Sequence, residues 1–468
     1  MKTELNLQHD PAGWRNVPAS SKPIDRAKVE KLLASEWERF EATTGGSGGH
    51  NARAKQALPL GVTSSFQHWD PYPISIVSAK GAYVKDVDGR KLLDLSMGFG
   101  AMLVGHLHPK VIAAAKKAMR SVGTLFVTPA PIATEAAERF KKRFGLDMIR
   151  FTNSGTESTM YAIRTARAVT GKKAIVKVEG GYHGGYDPLQ VSVKPALDEI
   201  GDAHAPTPQV PFDVEPGEVF TVPYNNLERL QEIFIEHGDR IACFVVEPVV
   251  ENLSIIMPDA GYLKSVRELC DKYSIVLIFD EVKTGLTAGV AGAAKKLGVE
   301  PDIICLAKSI GGGFPLAAFG GKQKYMDAVV DGRMAHFGTY NGNPLVMAAA
   351  IAVDELATEA AVGKAEAINI ETLKKLDAVI AKYELPAHTI GFGVKGAVIW
   401  SETPVRNYRD FKATDFEVAE LSWLWGVNRG VLTPPGLDEQ WLVSLAHKQS
   451  DMDKLVDSFT ELAKALRS

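Results

Sequence analysis

Apolar residues along this chain follow two spacings, which alternate from about residue 80 onward. Strand-like runs, mostly apolar and typical of strands covered on both faces, occur at 174–178, 242–250, 275–282 and 302–307. Segments with helical spacing separate these runs, for example residues 261–273. The alternation predicts an α/β fold with a mostly parallel sheet, and such sheets bind ligands at the carboxyl ends of their strands.

The segments before these runs carry their own patterns. Helical spacing over residues 24–42 predicts a helix. The glycines of residues 43–50 predict a flexible joint, either a plain linker or a mobile loop near a site. Asp88-Gly89 lies between the strand-like runs 81–86 and 91–95 and predicts a hairpin.

The last third of the chain predicts a second, smaller domain, because a long helical stretch from Pro344 is followed by a mixed segment with a strand-like run at 441–446. We therefore divide the chain into three parts. Residues 1–80 form an N-terminal segment with part of the small domain, 81–345 form the large domain, and 346–468 form the C-terminal small domain.

Composition narrows the class of protein. The net charge of -3, with 23% charged residues, gives no basic surface for nucleic acid and no charged patch for a membrane. Three cysteines, an odd number, favour reduced core residues over disulfides. No long apolar span or signal-peptide core is present in the sequence, so we expect a cytoplasmic enzyme with small-molecule substrates.

Lys308 closes the apolar run 302–307 and precedes three glycines. A lysine is rarely buried without a partner or a chemical role, and glycines let the backbone approach a ligand closely. Such a lysine could form a Schiff base with an aldehyde cofactor. Alternatively, it could extend from a loop to solvent.

Two carboxylates also follow buried runs. Asp280, directly after 275–279, could keep a pyridine nitrogen protonated, cap a helix, bind a ribose or ligate a metal. Glu247 ends another run and could face a substrate or simply cap the next segment.

Three loops contain groups suited to a phosphate or a planar ring. Ser154-Gly155-Thr156-Glu157 is a capping box before a helix, and helix starts of this kind also bind phosphate. Tyr182 and His183 lie in a glycine-rich loop, where an aromatic ring could stack on a cofactor or occupy an ordinary turn. The loop 338–344 offers donors to an anion, or is an ordinary turn.

Nucleotide and zinc motifs are missing from the sequence: it has no Walker-type glycine-lysine loop, no Gly-x-Gly-x-x-Gly opening a helix and no clustered metal-ligand spacing.

Taken in order, these segments resemble the class III aminotransferases, which are pyridoxal-phosphate (PLP) enzymes of fold type I. The resemblance covers roughly residues 60–450 and is most similar to the branch of glutamate-1-semialdehyde aminomutase, β-amino-acid transaminases and D-phenylglycine transaminase. It rests on 151–157 with its continuation to Arg167, Tyr182-His183-Gly184, Val246-Glu247-Pro248, Asp280-Glu281-Val282, Lys308 and Gly338-Thr339. It implies a large domain with a mostly parallel mixed sheet and a smaller α/β domain.

The resemblance also implies a role for each residue. Lys308 would form the Schiff base and move a proton, Asp280 would pair with the pyridine nitrogen, and Glu247 would lie near the substrate. The cofactor-binding set would be Ser154, Gly155, Thr156, Tyr182, His183, Asn252, Asp280, Val282, Lys308 and Thr339. Thr339 would come from the second subunit of a homodimer with shared sites.

The segment 61–69 departs from that pattern, because relatives that act on carboxylates commonly have an arginine there. This chain has Ser65 and Gln67 at the corresponding positions, and 432–436 also lacks arginine. Lys283 and Glu251 replace a methionine and a glycine of the aminomutase. A keto acid still requires a carboxylate site, and five side chains are candidates: Arg53, His68, Lys283, Arg333 and His336.

Phe66, Trp69 and Tyr72 suggest an aromatic pocket or a core. We therefore expect a transaminase that exchanges an amino group between an amine, aromatic or β-amino acid and a keto acid. A glutamate-1-semialdehyde-type 2,1-aminomutase or an amino-acid racemase is the alternative.

Overall fold

The computed structural model describes residues 13–125, 127–209, 218–435 and 439–468. The sequence interpretations of the first residues and of Gly436 lie outside these ranges. No helix within them is long and apolar enough to cross a membrane.

The strands follow one another along the chain as short segments. They are β1 (Trp14–Asn16), β2 (Ile76–Lys80), β3 (Tyr83–Asp86), β4 (Lys91–Asp94), β5 (Met148–Thr152), β6 (Ala174–Val178), β7 (Gly201–Asp202), β8 (Ala205–Pro206), β9 (Val219–Val222), β10 (Ile241–Val246), β11 (Val276–Asp280), β12 (Ile303–Leu306), β13 (Ala317–Gly321), β14 (His388–Phe392), β15 (Lys395–Ile399), β16 (Val431–Leu432) and β17 (Trp441–Leu442).

The α-helices lie between and around these strands. They are α1 (Arg26–Thr43), α2 (Gly45–Ala54), α3 (Pro109–Ser121), α4 (Pro131–Phe144), α5 (Gly155–Thr170), α6 (Asp187–Gln190), α7 (Leu227–His237), α8 (Tyr262–Tyr273), α9 (Gly285–Ala288), α10 (Gly292–Leu297), α11 (Gln323–Val330), α12 (Pro344–Leu356), α13 (Glu359–Lys382), α14 (Tyr408–Lys412), α15 (Phe416–Asn428) and α16 (Gln449–Arg467). Single 3₁₀ turns occur at Pro59–Gly61, Ser65–Gln67 and Lys308–Ile310.

A seven-stranded mixed sheet forms the centre of the molecule, in the order β5-β13-β12-β11-β10-β6-β9. The five strands from β12 to β9 pair in parallel, and β13 runs against both of its neighbours. Every residue of β6, β10, β11 and β12 is buried, as the mostly apolar runs predict. The mostly parallel sheet expected from the sequence is present.

Two smaller sheets flank this centre. One is antiparallel, in the order β1-β14-β15-β17, and the other has the order β16-β4-β3-β2. The predicted hairpin at Asp88-Gly89 joins β3 to β4, with Val84 opposite Leu92. Strands from the first hundred residues thus pair with strands near the carboxyl end. The division at residues 80 and 345 stays a prediction.

The prediction of a flexible joint over residues 43–50 is wrong, because α2 begins at Gly45. The Asp88 carboxylate accepts hydrogen bonds from the backbone amides of Gly46 (2.6 Å) and Ser47 (3.0 Å), so a distant anion caps the helix. A Cβ on Gly48 would lie 3.0 Å from the Tyr72 ring. Close packing thus requires small residues at Gly46 and Gly48, and the cap from Asp88 stabilises the start of this glycine-rich helix.

Candidate active site

The carboxyl ends of β5, β6, β10, β11 and β12 meet at one edge of the central sheet. A cavity of about 400 Å³ opens there. Most of the predicted cofactor-binding residues line it, namely Ser154, Gly155, Thr156, Tyr182, His183, Asn252, Asp280, Val282 and Lys308. Parallel pairing aligns the ends of β6, β10, β11 and β12, and β13, which runs against both neighbours, places β5 parallel to β12, so that Ser154 and Lys308 reach the same edge.

Lys308 follows β12 and its side chain lines the cavity. Its backbone has φ 47°, a left-handed conformation that is unfavourable for a residue with a Cβ and is found mainly where the surroundings impose it. Burial lowers the pKa of the ammonium to about 8, and the charges of Lys283 and Lys395 contribute to the lowering. At pH 7 about a tenth of the molecules would then carry Lys308 as a neutral amine, far more than for an exposed lysine. The lysine faces an internal cavity instead of extending to the outer surface.

The glycines after Lys308 form a tight turn. Gly312 has φ 58° and Gly313 φ 94°, and a Cβ at these positions would lie 2.6 Å from Val353 and 2.9 Å from the sulfur of Met102. The sequence suggested that these glycines let the backbone approach a ligand. In the structure they let it approach Val353 and Met102, and Gly313 forms part of one wall of the cavity.

Asp280 is buried at the end of β11, and both carboxylate oxygens have partners. Oδ2 lies 2.8 Å from Nδ1 of His183, and Oδ1 accepts a hydrogen bond from the Val282 amide at 3.0 Å. The helix that follows begins at Gly285, after Thr284, so Asp280 is not its N-cap. His183, for which we expected only a place in the cofactor-binding set, thus holds the orientation of this carboxylate.

The start of α5 forms a second wall. The Ser154 hydroxyl accepts a hydrogen bond from the Glu157 amide at 3.2 Å, and the Glu157 carboxylate accepts one from the Asn153 amide at 2.8 Å. The reciprocal bond of the predicted capping box is therefore made one residue earlier than expected. A Cβ on Gly155 would lie 3.1 Å from Val282, so only glycine fits this helix start without displacing its neighbour. The first amides of α5 remain directed at the cavity end.

Tyr182 and Asn252 lie on the opposite side. Tyr182 lines the cavity and is 42% exposed, and its carbonyl accepts a hydrogen bond from the Asn252 amide group at 3.2 Å. Thr156 is also tied to this loop, since its hydroxyl accepts a hydrogen bond from the Gly185 amide at 3.0 Å. The aromatic loop and the helix start are thereby held together.

Glu247 is buried just after β10. Burial, with a smaller contribution from Asp280, raises the pKa of its carboxyl to about 8. Its Oε2 accepts a hydrogen bond from the Glu251 amide at 3.0 Å, and the Asn252 side chain also interacts with the carboxyl. Glu247 is not among the residues that line the cavity. Its hydrogen bond to the Glu251 amide instead holds the segment that leads to Asn252 in the cavity lining.

Thr339 is the one predicted cofactor-binding residue that lies elsewhere. It lines a separate cavity of about 740 Å³ together with Val127, Arg150 and His336. Asn341 of the same loop accepts a hydrogen bond at 2.9 Å from Asn153, which lines the Lys308 cavity. Thr339 does not line that cavity in this chain, and its service to a second copy stays a prediction.

Four buried charges beside Lys308 form a chain that the sequence did not reveal. Lys283 Nζ lies 2.6 Å from the Glu439 carboxylate and donates to the Glu251 carbonyl at 2.8 Å. Lys395 Nζ lies 2.6 Å from the Glu251 carboxylate. Lys283 and Glu251 departed from the aminomutase pattern, which was a usable signal. Their partners lie 156 and 144 positions away, and no local pattern announces them.

Of the five candidates for a carboxylate site, Lys283 is the one that lines the Lys308 cavity. Arg53 lines a different cavity and His336 lies beside Thr339, whereas Arg333 pairs with Asp331 and His68 faces Asp70.

The segment of the missing arginine has its own cavity, of about 810 Å³. Gln67 accepts a hydrogen bond there from the Thr63 hydroxyl at 2.8 Å, and Phe66 packs edge-on against Phe99. Trp69 packs on Trp423, and Tyr72 bonds to Thr44. The aromatic residues of this segment are thus divided between a cavity and the core.

The residues present fit pyridoxal phosphate. A lysine with a lowered pKa, a buried carboxylate fixed by a histidine and a glycine helix start lie around one cavity, and they match the aldehyde, ring nitrogen and phosphate of that cofactor. Fold and site together define a PLP-dependent enzyme of fold type I. The chain belongs to the class III aminotransferases, whose family model (Aminotransferase class-III) matches residues 65–421.

The similar proteins agree with this assignment. A glutamate-1-semialdehyde 2,1-aminomutase of Thermomicrobium roseum is 38% identical over 415 residues, covering 86% of this chain and 95% of the relative. A lysine-to-alanine variant of a glutamate-1-semialdehyde aminomutase of Pseudomonas aeruginosa PAO1, solved in complex with PMP, has a TM-score of 0.86 at 26% identity and covers 95% of this chain and 99% of its own.

A β-phenylalanine aminotransferase of Variovorax paradoxus has a TM-score of 0.81 at 28% identity, covering 93% and 97% of the two chains. An omega-transaminase of Sphaerobacter thermophilus has a TM-score of 0.83 at 29% identity, covering 90% and 98%. The expected fold type, family and cofactor are confirmed.

Proposed function

We propose that this enzyme moves an amino group by means of PLP held on Lys308. The observation that carries the proposal is the position of Lys308, which shares one cavity with Asp280 and the α5 start and has a pKa lowered to about 8. When bound, PLP supplies an electron sink that makes the proton on the amine-bearing carbon acidic.

The residues of the chain have separate tasks in this proposal. Lys308 would hold PLP through its neutral amine and would move a proton to and from the amine-bearing carbon of the substrate. Asp280, held by His183, keeps a positive charge at the ring nitrogen. Ser154, Gly155 and Thr156 bind the phosphate, which orients the reacting end with binding energy gained far from it.

Four further residues shape the surroundings of the ring. All three of Tyr182, Val282 and Asn252 line the cavity, where Tyr182 and Val282 would pack against the ring of PLP and Asn252 would contact its polar substituents. Glu247 does not line the cavity, and its carboxyl is protonated, and so uncharged, below about pH 8.

For the overall reaction, the relatives favour the 2,1-aminomutase over the two-substrate transaminase that we expected from the sequence. Amino transfer between adjacent carbons of one molecule is therefore the first candidate, on the support of a 38% identical aminomutase. A transaminase acting on an amine, aromatic or β-amino acid with a keto acid is the second. The absence of arginine in 61–69 favours it, as do the two transaminase structures of similar fold.

One experiment separates the two reactions. The purified holoenzyme is incubated with glutamate-1-semialdehyde, a β-amino acid or an aromatic amine, each with and without a keto acid. An aminomutase turns over glutamate-1-semialdehyde without an acceptor, whereas a transaminase needs the keto acid and consumes it in equal amount. An enzyme that shows neither reaction, nor conversion of its cofactor by any donor, would disprove the proposal.

A cytoplasmic homodimer is part of the same proposal. Phe337 (82% exposed) and Tyr340 (61% exposed) flank Thr339, and Val127 (93% exposed) lines the same cavity, so an apolar surface surrounds this residue. All three cysteines are buried and unpaired, as in a reducing compartment. Light scattering should give twice the mass of 50.6 kDa. If sites are shared, a mixed dimer of the inactive Lys308→Ala variant and a weakened Thr339→Ala variant contains one site with both residues intact. Mixing the two variants should therefore raise activity above that of either variant alone.

A further inference from the structure

Two cavities share a wall beside Lys308, and an ion pair forms that wall. Lys283 lines the Lys308 cavity, and Glu439 lines a second cavity of about 110 Å³. Their charged atoms lie 2.6 Å apart, with the Lys283 side chain 2% exposed and that of Glu439 13% exposed. The pair is therefore nearly dry, and its two ends face different spaces.

Lys283 is suited to hold an anion in the first cavity. Apart from Lys308, it is the only lysine or arginine among the described residues that line this space. Burial lowers the pKa of its ammonium, but the charge and hydrogen bond of its acidic neighbour Glu439 are the largest of the effects that outweigh burial, and the pKa is raised. Lys283 is therefore charged whenever substrate enters.

The second cavity is suited to receive a carboxylate. Four tryptophans line it together with the hydroxyl residues Ser422, Ser458 and Thr433. Trp423 and Trp425 are among these tryptophans, and their indole nitrogens have no hydrogen-bond partner within the described parts of the chain. The volume exceeds that needed for a single water, about 10–15 Å³ on this measure. The lining is mainly apolar, and its hydroxyl and unpartnered indole groups are the donors that a carboxylate could use there.

From this arrangement we propose that Lys283 binds the carboxylate of the substrate, and that Glu439 turns into the tryptophan-lined cavity to make room for it. A substrate without a carboxylate leaves the Lys283–Glu439 pair intact. The inference rests on the proposed function, since it takes the Lys308 cavity as the place where substrate binds.

Fixed contacts make this exchange of partners feasible. Lys283 also donates to the Glu251 carbonyl at 2.8 Å, and Lys395 holds the Glu251 carboxylate at 2.6 Å. The Glu251 carbonyl thus keeps the Lys283 ammonium in place while Glu439 moves. Because one carboxylate replaces another, Lys283 keeps a counter-charge, and the displaced Glu439 carboxylate would need hydrogen bonds from the hydroxyl and indole groups of the second cavity to offset the loss of its partner.

Binding of unreactive acids tests the proposal without turnover. The PLP-loaded enzyme is titrated in a calorimeter with pentanoate and 3-phenylpropanoate, and with the two corresponding amides as neutral controls. The wild type should bind the acids more tightly than the amides. Lys283→Met should weaken acid binding at least about tenfold and leave the amides unchanged. Glu439→Gln should tighten acid binding several-fold, because a neutral group competes less for the lysine.

The chain offers a matched control in Lys375→Met, a partly exposed lysine paired with Asp453 at 2.7 Å outside the site, which should change none of these affinities. Unchanged acid binding in Lys283→Met, or weaker acid binding in Glu439→Gln, would overturn the inference. So would a wild type that binds amides as well as acids. The visible absorbance of the Lys308-linked cofactor reports separately on the proposed function: if it forms, these outcomes concern Lys283 alone, and if it never forms, both proposals fail.

Discussion

The imidazole of His183 and the carboxylate of Asp280 lie 2.8 Å apart, and both side chains are buried. The two residues come from different strand ends, separated by 97 positions. A second bond, from the Val282 amide to the other oxygen, leaves Asp280 little freedom to turn. His183 is therefore a positioning residue for the carboxylate that we place at the cofactor's ring nitrogen.

Replacing His183 tests this role. His183→Phe keeps a ring but removes the hydrogen bond, so we expect PLP to bind at least about tenfold more weakly, the scale of one hydrogen bond to a charged group. His183→Asn can still donate and should keep most of the affinity. Fluorescence titration of the apoenzyme with PLP measures both. Equal affinities of the Phe variant and the wild type would show that His183 merely fills space.

Lys308→Ala should abolish the covalent link to PLP. The left-handed backbone at Lys308 places its amine in the cavity, and no other lysine except Lys283 lines that space among the described residues. We expect the visible absorbance of the Schiff base to disappear and the cofactor to wash out. Borohydride reduction of the wild type, followed by peptide mapping, should label Lys308. A label on Lys283 would contradict the assignment, and Lys322→Ala, on a partly exposed surface lysine, is the control.

Much of this site was predictable because its groups follow buried strands directly. The apolar runs end close to the observed β10, β11 and β12, and parallel pairing then assembles whatever residues come next. Glu247, Asp280 and Lys308 were found in this way. The runs of 242–250 and 275–282 were predicted too long, because apolar residues continue past the last strand pairing.

What could not be predicted depends on contacts between distant segments. The glycines at 45–49 are helical because Asp88 caps them. The Lys283–Glu439 and Lys395–Glu251 pairs join residues more than 140 positions apart. Such partners leave no local periodicity. Single charges in apolar surroundings, as at Lys283 and Lys395, show only that partners must exist.

Asp280→Asn should retain the cofactor but lose turnover. The amide oxygen of asparagine can still accept from the Val282 amide, so the local structure should persist. Its missing charge no longer holds a proton at the ring nitrogen, and we expect the rate to fall roughly a hundredfold or more, the scale of removing one preorganised electrostatic group. Single-turnover conversion of the cofactor by an amino donor measures this step. A rate close to the wild type would disprove the pairing.

Glu247 gives a prediction about stability and pH. Burial and the nearby Asp280 raise the pKa of its carboxyl from 4.5 to about 8 in the folded protein. Between these values the folded state holds a proton that the unfolded state has released. Folded-state stability therefore declines as the pH rises through this window, by up to about 1.4 kcal/mol per pH unit from this group alone.

Glu247→Gln removes that dependence, because an amide does not titrate and resembles the protonated carboxyl in shape. The stability of the variant relative to the wild type should therefore increase steadily from about pH 5 to pH 8 and level off above it. Urea unfolding midpoints of the two apoenzymes at several pH values give this difference directly. Glu268→Gln, on the exposed side of α8, should show a flat difference. If the difference for Glu247→Gln is also flat, the Glu247 carboxyl is ionised throughout, and it would have to act as a charge behind the cofactor site instead of as a neutral support.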